Sequence, residues 1–297
     1  MKIFLTGSSG FVGSQLLPRL LREAHSVRAL VHGNGSLAGG SSSQLEQVKG
    51  DILSASALPE LMAGCDAVIN LVGIIFEHGS STFEAVHHLG TRNLVQAARQ
   101  IGLRRFVQMS ALGARREDAS PYHTTKFAGE EEVRDSGIPY VILRPSLIVG
   151  HGSAFIHQMV GVMRVVPFIR PVAGTGEYRF RPVHVDDVAE CFTQALTNEM
   201  AIGQTVNLVG NEELTLNDIA ATIAQSLAIH KIPIHIPIPL MKVAATLFSV
   251  LPMQPPVTKA QIRMLEEGST ADPEPMKRIF GLEPRAFRSS LNEYLRP

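Results

Sequence analysis

This sequence is poor in tryptophan, cysteine and net charge, and each shortage argues against a class of protein. The chain of 297 residues has no tryptophan and two cysteines, and Lys+Arg and Asp+Glu both number 27. A formal net charge of zero argues against a nucleic-acid partner, which would need a broad basic surface. Cys65 and Cys191 lie far apart in unrelated contexts, which favours free thiols in a reducing compartment.

Export signals and membrane-spanning runs are also missing. A strand-like segment begins at Lys2, so there is no room for a charged region followed by the apolar part of a signal peptide. No apolar run reaches the roughly 18 residues that a transmembrane helix needs. We therefore expect a cytoplasmic protein. The apolar segment 236–256 is interpreted as a helix packed on a lobe, with peripheral contact to a membrane surface or a partner as the alternative.

What the sequence does contain is an alternation of short apolar runs with helical patterns through its first half. This alternation is typical of parallel βαβ units. The run 66–73 is apolar nearly throughout, as expected of a strand buried on both faces. We predict an α/β fold with a doubly wound parallel sheet in residues 1–150 and 181–210. A smaller C-terminal lobe is predicted from residues 151–180 and 211–297.

Three glycines lie in the stretch TGSSGFVG, between the first predicted strand and the first predicted helix. Glycine at such a turn lets the backbone approach a pyrophosphate and lets the helix pack closely on the strand. The helix directs its unpaired N–H groups and the positive end of its dipole at the same place. In its βαβ context the turn predicts a dinucleotide site of the Rossmann type. Its predicted contacts are Gly7, Ser9, Gly10, Phe11, Val12 and Gly13.

The spacing T-G-x-x-G-x-x-G resembles the extended and atypical short-chain dehydrogenase/reductases, the NAD-dependent epimerase/dehydratase family. At the end of the second strand, where NAD enzymes place an acid for the ribose diol, this chain has His32. The missing carboxylate favours NADP over NAD, and both stay open. The resemblance implies that Asp51 faces the adenine, although Asp51 also suits a turn or a helix cap. The remaining implied contacts are Ile52, Leu71, Val72 and Gly73.

A second set of residues suits the reduction or oxidation of a carbonyl or alcohol. Tyr122 and Lys126 lie four apart in the predicted helix, and Ser110 ends a strand, so all three are expected at the carboxyl edge of the sheet. Lowering a tyrosine pKa towards neutrality takes about 4 kcal/mol, which an ammonium at ~4 Å supplies at an effective dielectric of ~20. The resemblance implies that Tyr122 is the acid/base, that Lys126 tunes it and binds the ribose, and that Ser110 binds the substrate oxygen.

One position departs from the family pattern. Extended members usually carry Asn in N-V-x-G-T-x-N-L, where this chain has HHLGTRNL, so His87 takes the Asn place. It either donates a similar hydrogen bond or packs. With SALGA, YHTTKFAGEEEVR, LRPSLIVGHGSAF and RPVHVDDVAE, this stretch resembles bacterial relatives of the nucleotide-binding accessory subunit of respiratory complex I. In that subunit the bound NADPH is regarded as structural.

Two classes of function therefore stay open. The sequence favours an NADP(H)- or NAD(H)-dependent reductase, dehydrogenase or epimerase that acts on a small carbonyl or alcohol of unknown identity. The alternative is a nucleotide-bound accessory or sensor module without turnover, in contact with a respiratory complex. Arg144, Arg179 and Arg181 are candidates to bind an anionic substrate. The histidines do not combine with carboxylates or cysteines at metal-ligand spacing, so no metal site is expected. The sequence predicts no oligomeric state.

Overall fold

The computed structural model describes residues 1–33, 35, 37, 42–249 and 257–295. The chain divides into two compact units. The first comprises Met1–Pro145, Val185–Leu208 and Glu274–Leu282, and the second comprises Ser146–His184, Val209–Pro273 and Glu283–Pro297. The segment Glu274–Leu282 thus belongs to the unit of the sheet, although it was predicted in the C-terminal lobe. Residues 146–150, 181–184 and 209–210 were predicted with the sheet and belong to the second unit.

The described residues form thirteen strands and eleven α-helices. The strands are β1 (Lys2–Thr6), β2 (Ser26–Val31), β3 (Leu45–Lys49), β4 (Ala67–Asn70), β5 (Arg105–Met109), β6 (Tyr140–Pro145), β7 (Ile148–Val149), β8 (Ile169–Ala173), β9 (Arg179–Phe180), β10 (Val183–His184), β11 (Gln204–Leu208), β12 (Leu214–Thr215) and β13 (Ile232–Ile236). The α-helices are α1 (Phe11–Arg22), α2 (Leu58–Met62), α3 (Gly90–Gln100), α4 (Pro121–Arg134), α5 (Ala154–Val165), α6 (Val185–Gln194), α7 (Leu216–Ser226), α8 (Ile238–Ser249), α9 (Lys259–Glu267), α10 (Glu274–Phe280) and α11 (Phe287–Tyr294). A π-helix, Glu84–Leu89, precedes α3.

The first unit is built on a seven-stranded parallel sheet flanked by helices, which confirms the predicted doubly wound fold of the Rossmann type. The strand order is β11-β6-β5-β4-β1-β2-β3, and every neighbouring pair is parallel. The chain moves outward from β1 in one direction through β3 and in the other from β4. The carboxyl ends of β1 and β4, at Thr6 and Asn70, therefore lie side by side where ligands bind in open α/β sheets.

Apolar side chains from successive strands form the core of this unit. Phe4, Val68, Phe106 and Ile142 lie on four neighbouring strands, and all are completely buried. They pack with residues of α2 and α3, including the fully buried Leu94. Because β4 is buried along its whole length, its sequence lacks the alternation of a half-exposed strand.

The second unit has its own core and three small sheets. Strand β7 pairs with β10 and β8 with β13 in parallel, whereas β9 and β12 are antiparallel. Ile156 of α5, Phe180, Ile219 of α7 and Leu291 of α11 are buried together. The predicted apolar segment 236–256 forms α8 up to Ser249, and residues 250–256 lie outside the described part of the chain. Within the described ranges, every helix is too short or too polar to cross a bilayer.

Candidate functional site

The glycine turn after β1 is shaped by close contacts that only glycine permits. Gly7 has φ +72°, and a Cβ on it would lie 3.0 Å from the carbonyl carbon of Leu71. A Cβ on Gly13 would lie 2.2 Å from the Gly7 oxygen, so the first turn of α1 packs directly on the turn. At Gly10 a Cβ would meet only the Gly7 oxygen, at 3.2 Å, and both Gly10 and Ser9 are exposed. Gly7 and Gly13 are therefore required by the fold, while Gly10 keeps the outer surface of the turn open.

The start of α1 presents unsatisfied hydrogen-bond donors to this open surface. Gly10 is the N-cap residue, and no side chain caps the helix. The N–H groups of the first turn, from Phe11 to Gly13, have no acceptor within the helix. Ser8 is buried in the turn, and its hydroxyl has no hydrogen-bond partner in the described part of the chain. This donor-rich turn without a cap fits an anionic diphosphate.

The two residues predicted for the adenine side lie together. His32 Nε2 is 3.3 Å from Asp51 Oδ2, and the other Asp51 oxygen accepts a hydrogen bond of 2.9 Å from the Leu53 N–H. Asp51 thus stabilises a turn through its hydrogen bond to Leu53. It also places a carboxylate beside the end of β2, although no acidic residue follows β2 directly in the sequence. Ile52 is buried against α3, and its carbonyl accepts a hydrogen bond of 3.0 Å from Asn93. Its side chain therefore belongs to the core.

A buried polar network fixes the carboxyl ends of the central strands. The Thr6 hydroxyl donates to Asn70 Oδ1 at 2.6 Å, and Asn70 Nδ2 donates to Gln108 Oε1 at 3.0 Å. Asn70 Oδ1 also accepts from the Val72 N–H at 3.3 Å, which shapes the segment that contains Leu71 and Val72. This network was not predicted from the sequence, although a polar residue lies at or near the carboxyl end of each of the three strands.

Lys126 projects from α4 into the carboxyl edge of the sheet. Its side chain is buried, and Nζ donates to the carbonyls of Met109 and Val72 at 3.3 and 3.4 Å. A Cβ on Gly73 would lie 2.8 Å from Nζ, so the glycine leaves room for the ammonium. Burial lowers the pKa of Lys126 to about 8, against the opposing attraction of Glu130. This group is therefore a cation that is close to titration at neutral pH.

Tyr122 lies one helical turn before Lys126, in an aromatic cluster. Its ring makes edge contacts with His87 and Phe83, with centroids 5.2 and 5.8 Å apart. Burial raises the pKa of Tyr122 to about 12, which is opposite to the lowering that the sequence argument expected. Desolvation of the phenolate causes this rise, and the expected attraction of the Lys126 ammonium does not contribute to it.

Ser110 follows β5 directly, next to the carbonyl of Met109 that holds Lys126. The serine is buried, with 2% of its surface exposed, and its hydroxyl has no hydrogen-bond partner among the described residues. Leaving a buried hydroxyl unpaired costs about 1–3 kcal/mol. A ligand oxygen at this position would supply the missing partner.

His87 both packs and makes hydrogen bonds. Its Nε2 accepts from the Ile74 N–H at 3.0 Å, which leaves the proton on Nδ1, 3.1 Å from the Thr125 hydroxyl oxygen. Burial, and then the charge of Lys126, lowers the pKa of His87 to about 2, so the ring is neutral. The residue lies in the π-helix Glu84–Leu89. Such π turns are frequent at functional sites.

The three candidate arginines are bound to carboxylates of their own unit. Arg144 makes two hydrogen bonds to the fully buried Glu130, of 2.7 and 2.6 Å. Arg179 and Arg181 both pair with Glu213, at 2.8 and 3.5 Å. Both cysteines are free thiols. In the ranges that the structure describes, no three His, Cys, Asp or Glu side chains cluster as metal ligands would.

Two kinds of known protein are similar in sequence to this chain. Subunit 9 of the NADH dehydrogenase [ubiquinone] 1 alpha subcomplex, from mitochondria of Arabidopsis thaliana, is 27% identical over 246 residues, which are 80% of this chain and 61% of that protein. Ceramide reductase of Caulobacter vibrioides is 30% identical over 190 residues, 63% of this chain and 58% of that enzyme. The chain thus spans about three fifths of the length of these two relatives.

Solved structures and the family comparison agree on the fold. UDP-glucuronic acid 4-epimerase from Bacillus cereus, in complex with UDP-glucuronic acid and NAD, superimposes with a TM-score of 0.77 at 20% identity and covers 99% of both chains. The family model of the NAD dependent epimerase/dehydratase family matches residues 3–209 of this chain. The match includes the glycine turn, the polar network and the Ser110, Tyr122 and Lys126 region. The chain belongs to the NAD-dependent epimerase/dehydratase family.

Proposed function

We propose that this chain binds a nicotinamide dinucleotide at the glycine turn and reduces a carbonyl substrate with Ser110, Tyr122 and Lys126. The observation that carries the proposal is the buried Ser110 hydroxyl, which lacks a partner among the described residues and follows the carbonyl that holds the Lys126 ammonium. An unpaired donor beside a buried cation suits an oxygen that gains negative charge during reaction.

Each residue has a role that its contacts support. The first-turn N–H groups of α1 bind the diphosphate, and Gly10 lets it approach the backbone. Lys126 Nζ lies beside Gly73, where it binds the nicotinamide ribose. Its effect on the charge of Tyr122 is the role that the family resemblance implies. The bound nicotinamide ring supplies the hydride. Ser110 orients the substrate oxygen, and Tyr122 transfers a proton to it.

The pKa of Tyr122 fits a group that donates a proton to a carbonyl oxygen. A phenol whose pKa is about 12 holds its proton at neutral pH, so it can donate a proton to a carbonyl oxygen. Oxidation of an alcohol, and the first half of an epimerisation, would instead need the phenolate. Because two relatives are named as a reductase and a ketoreductase, we propose the reductase among the reductase, dehydrogenase and epimerase hypotheses.

The relatives suggest an apolar carbonyl substrate. One is named a ceramide reductase, and another, from Stigmatella aurantiaca, is named as the ketoreductase of a farnesyl dihydroquinoline oxide and is 28% identical over 211 residues. Both names combine reduction with a long apolar chain. We propose a lipid-like ketone for this chain, ahead of the nucleotide sugars bound by the structurally similar epimerases.

For the coenzyme we propose NADP(H) over NAD(H). The end of β2 offers the exposed imidazole of His32, which can pair with a 2′-phosphate, and the nearby Asp51 carboxylate is already bonded to Leu53 and His32. Calorimetry should show tighter binding of NADPH than of NADH, and His32→Asp should reverse the order because its carboxylate repels the phosphate. Equal affinities in the wild type would refute this preference.

The substitution Tyr122→Phe tests the catalytic role. We expect kcat to fall by about 10²- to 10⁴-fold on a panel of lipid-like ketones, because the proton donor is lost. Nucleotide affinity, measured by calorimetry, should change little. Tyr140→Phe is the matched control. Tyr140 is the first residue of β6 and lies at the amino end of the strands, away from the site, so this variant should keep wild-type activity. Unchanged turnover in Tyr122→Phe would exclude the assigned role.

A second candidate function is a nucleotide-bound accessory module in contact with a respiratory complex. The similarity to subunit 9 of mitochondrial NADH dehydrogenase favours it. For this candidate we expect saturable NADPH binding together with no NADPH oxidation across the ketone panel. For either function we propose a cytoplasmic location, which the two free cysteines support.

A further inference from the structure

The second unit presents large apolar side chains to solvent at the end of α5 and along β13. Phe168 is 84% exposed, Val165 81% and Ile232 67%, and Ile234 is also exposed. Single exposed apolar residues are common, but a cluster of this size marks a contact surface. We call Val165, Phe168, Ile232 and Ile234 the apolar tip.

The backbone holds Phe168 in an unfavourable conformation that keeps it at this tip. Phe168 has φ +60°, and the N–H of Ile169 donates to the Pro167 carbonyl at 2.7 Å, which closes a three-residue turn around it. A positive φ is rare for a bulky residue, and strained turns of this kind occur mostly at functional positions. The strain is therefore associated with an aromatic ring that points to solvent.

Pairing of β8 with β13 joins the parts of the tip. The Ile232 N–H donates to the Phe168 carbonyl at 3.2 Å, and Ile232 and Ile234 alternate along β13, so they share one face. After β13 the chain enters α8, where Leu240, Val243 and Leu247 are exposed at helical spacing. Two successive elements thus display apolar residues that could enter an apolar medium.

The two sequence segments that carry the apolar tip are basic. Residues 136–176 and 219–265, which contain the tip and α8, have no Asp or Glu, although the chain has as many acids as bases. Arg164 is exposed next to Val165, and within the described residues it has no ion pair. The Nε atom of Arg170 is buried without a hydrogen-bond partner there. Lys242 of α8 pairs with Glu266 from outside these stretches.

We propose that the apolar tip docks this protein on the surface of an anionic lipid bilayer. Phe168, Val165 and Ile232 would enter the interface between headgroups and acyl chains, while Arg164 and Arg170 pair with lipid phosphates. The lack of Asp and Glu in residues 136–176 and 219–265 favours this occupant, because a carboxylate beside the tip would be repelled by the same lipids. The proposal is independent of the proposed reductase activity.

Co-sedimentation with vesicles tests it. The full chain should bind vesicles of phosphatidylcholine with 30% phosphatidylglycerol and should bind pure phosphatidylcholine at least tenfold less. Binding should weaken between roughly 0.1 and 0.5 M salt, because screening acts on the arginine contacts. The variant V165S/F168S should bind anionic vesicles at least tenfold more weakly, since each large side chain contributes about a factor of ten to transfer. R164Q/R170Q should lose the preference for anionic lipid.

Met200→Ser is the matched control, because Met200 is 61% exposed but lies in the first unit. Its vesicle binding should equal that of the wild type, and thermal unfolding should confirm that all variants are folded. Equal binding by V165S/F168S and wild type would overturn the proposal. A second result would also overturn it: the wild type does not bind vesicles and forms a dimer in gel filtration, and V165S/F168S is a monomer. The tip would then be a protein interface.

Discussion

Gly13 is the residue of the glycine turn at which an added Cβ would have the least room. A Cβ there would lie 2.2 Å from the Gly7 oxygen, whereas one on Gly10 would lie 3.2 Å from it. The two glycines therefore do different things. One lets α1 pack on the turn that follows β1, and the other leaves space for a ligand to approach.

Gly13→Ala should reduce the free energy of unfolding by about 1–3 kcal/mol or more, because backbone atoms must move to admit the methyl group. Gly10→Ala should be much less destabilising but should weaken NADPH binding. Gly161→Ala is the control, since its Cβ would meet nothing within 4 Å in α5. Urea denaturation measures the free energy of unfolding, and calorimetry measures the affinity for NADPH. If Gly10→Ala were the less stable of the two site variants, this division of roles would be wrong.

His87 makes stability depend on pH. In the unfolded chain a histidine takes up a proton near pH 6.5, whereas the folded chain resists protonation down to about pH 2 because the ring is buried. The unfolded state therefore binds more protons over this range, and stability falls as the pH drops below 6.5. The slope contributed by one such group approaches 1.4 kcal/mol per pH unit.

The substitution His87→Asn should remove this slope. Urea denaturation between pH 7 and 5 should show the wild type losing stability more steeply than the variant. His151→Asn, at an exposed position, should keep the wild-type slope. Parallel slopes for wild type and His87→Asn would mean that His87 is not the buried neutral group that its contacts indicate.

Helix α4 carries both Tyr122 and Lys126, and a buried ion cluster fixes it to the sheet. Glu130 is completely buried and binds Arg144 of β6 as well as Arg134, at 2.6 Å. A carboxylate in this position is stable only while its partners remain. The cluster therefore positions the face of α4 that reaches the carboxyl edge of the sheet.

Glu130→Gln should cost about 3–5 kcal/mol of unfolding free energy, because Arg144 loses its carboxylate partner and Arg134 loses one of its two. Glu131→Gln should cost under about 1 kcal/mol, since Glu131 is partly exposed and screened by solvent. Thermal or urea unfolding of the two variants measures both losses of stability. A loss in Glu130→Gln no larger than in the control would show that the cluster does not hold α4.

At the scale of the whole molecule, the two units should respond differently to the coenzyme. All predicted nucleotide contacts, from Gly7 to Lys126, belong to the first unit. A ligand at a concentration 100 times its Kd stabilises the state that binds it by about 2.7 kcal/mol.

Hydrogen exchange with and without NADPH checks this expectation. Protection should increase in β1, α1 and the segment that contains Gly73, while β8 and β13 keep their rates. NADPH-dependent protection confined to β8 and β13 would place the coenzyme elsewhere. Inosine monophosphate, which has no pyrophosphate or nicotinamide, serves as the control ligand and should leave the first unit unchanged.

The local sequence determined the sheet and the places of the glycine turn and of α4. Short-range signals suffice for these features, because apolar periodicity, a required glycine conformation and the cap at Ser120 act within a few residues. The tertiary structure decided what depends on contacts between distant parts of the chain. It paired His32 with Asp51, buried Glu130 between two arginines, joined Asn70 to Thr6 and Gln108, and desolvated Tyr122 enough to raise its pKa. Desolvation and ion pairing depend on which residues the fold brings together, and no spacing along the chain records that.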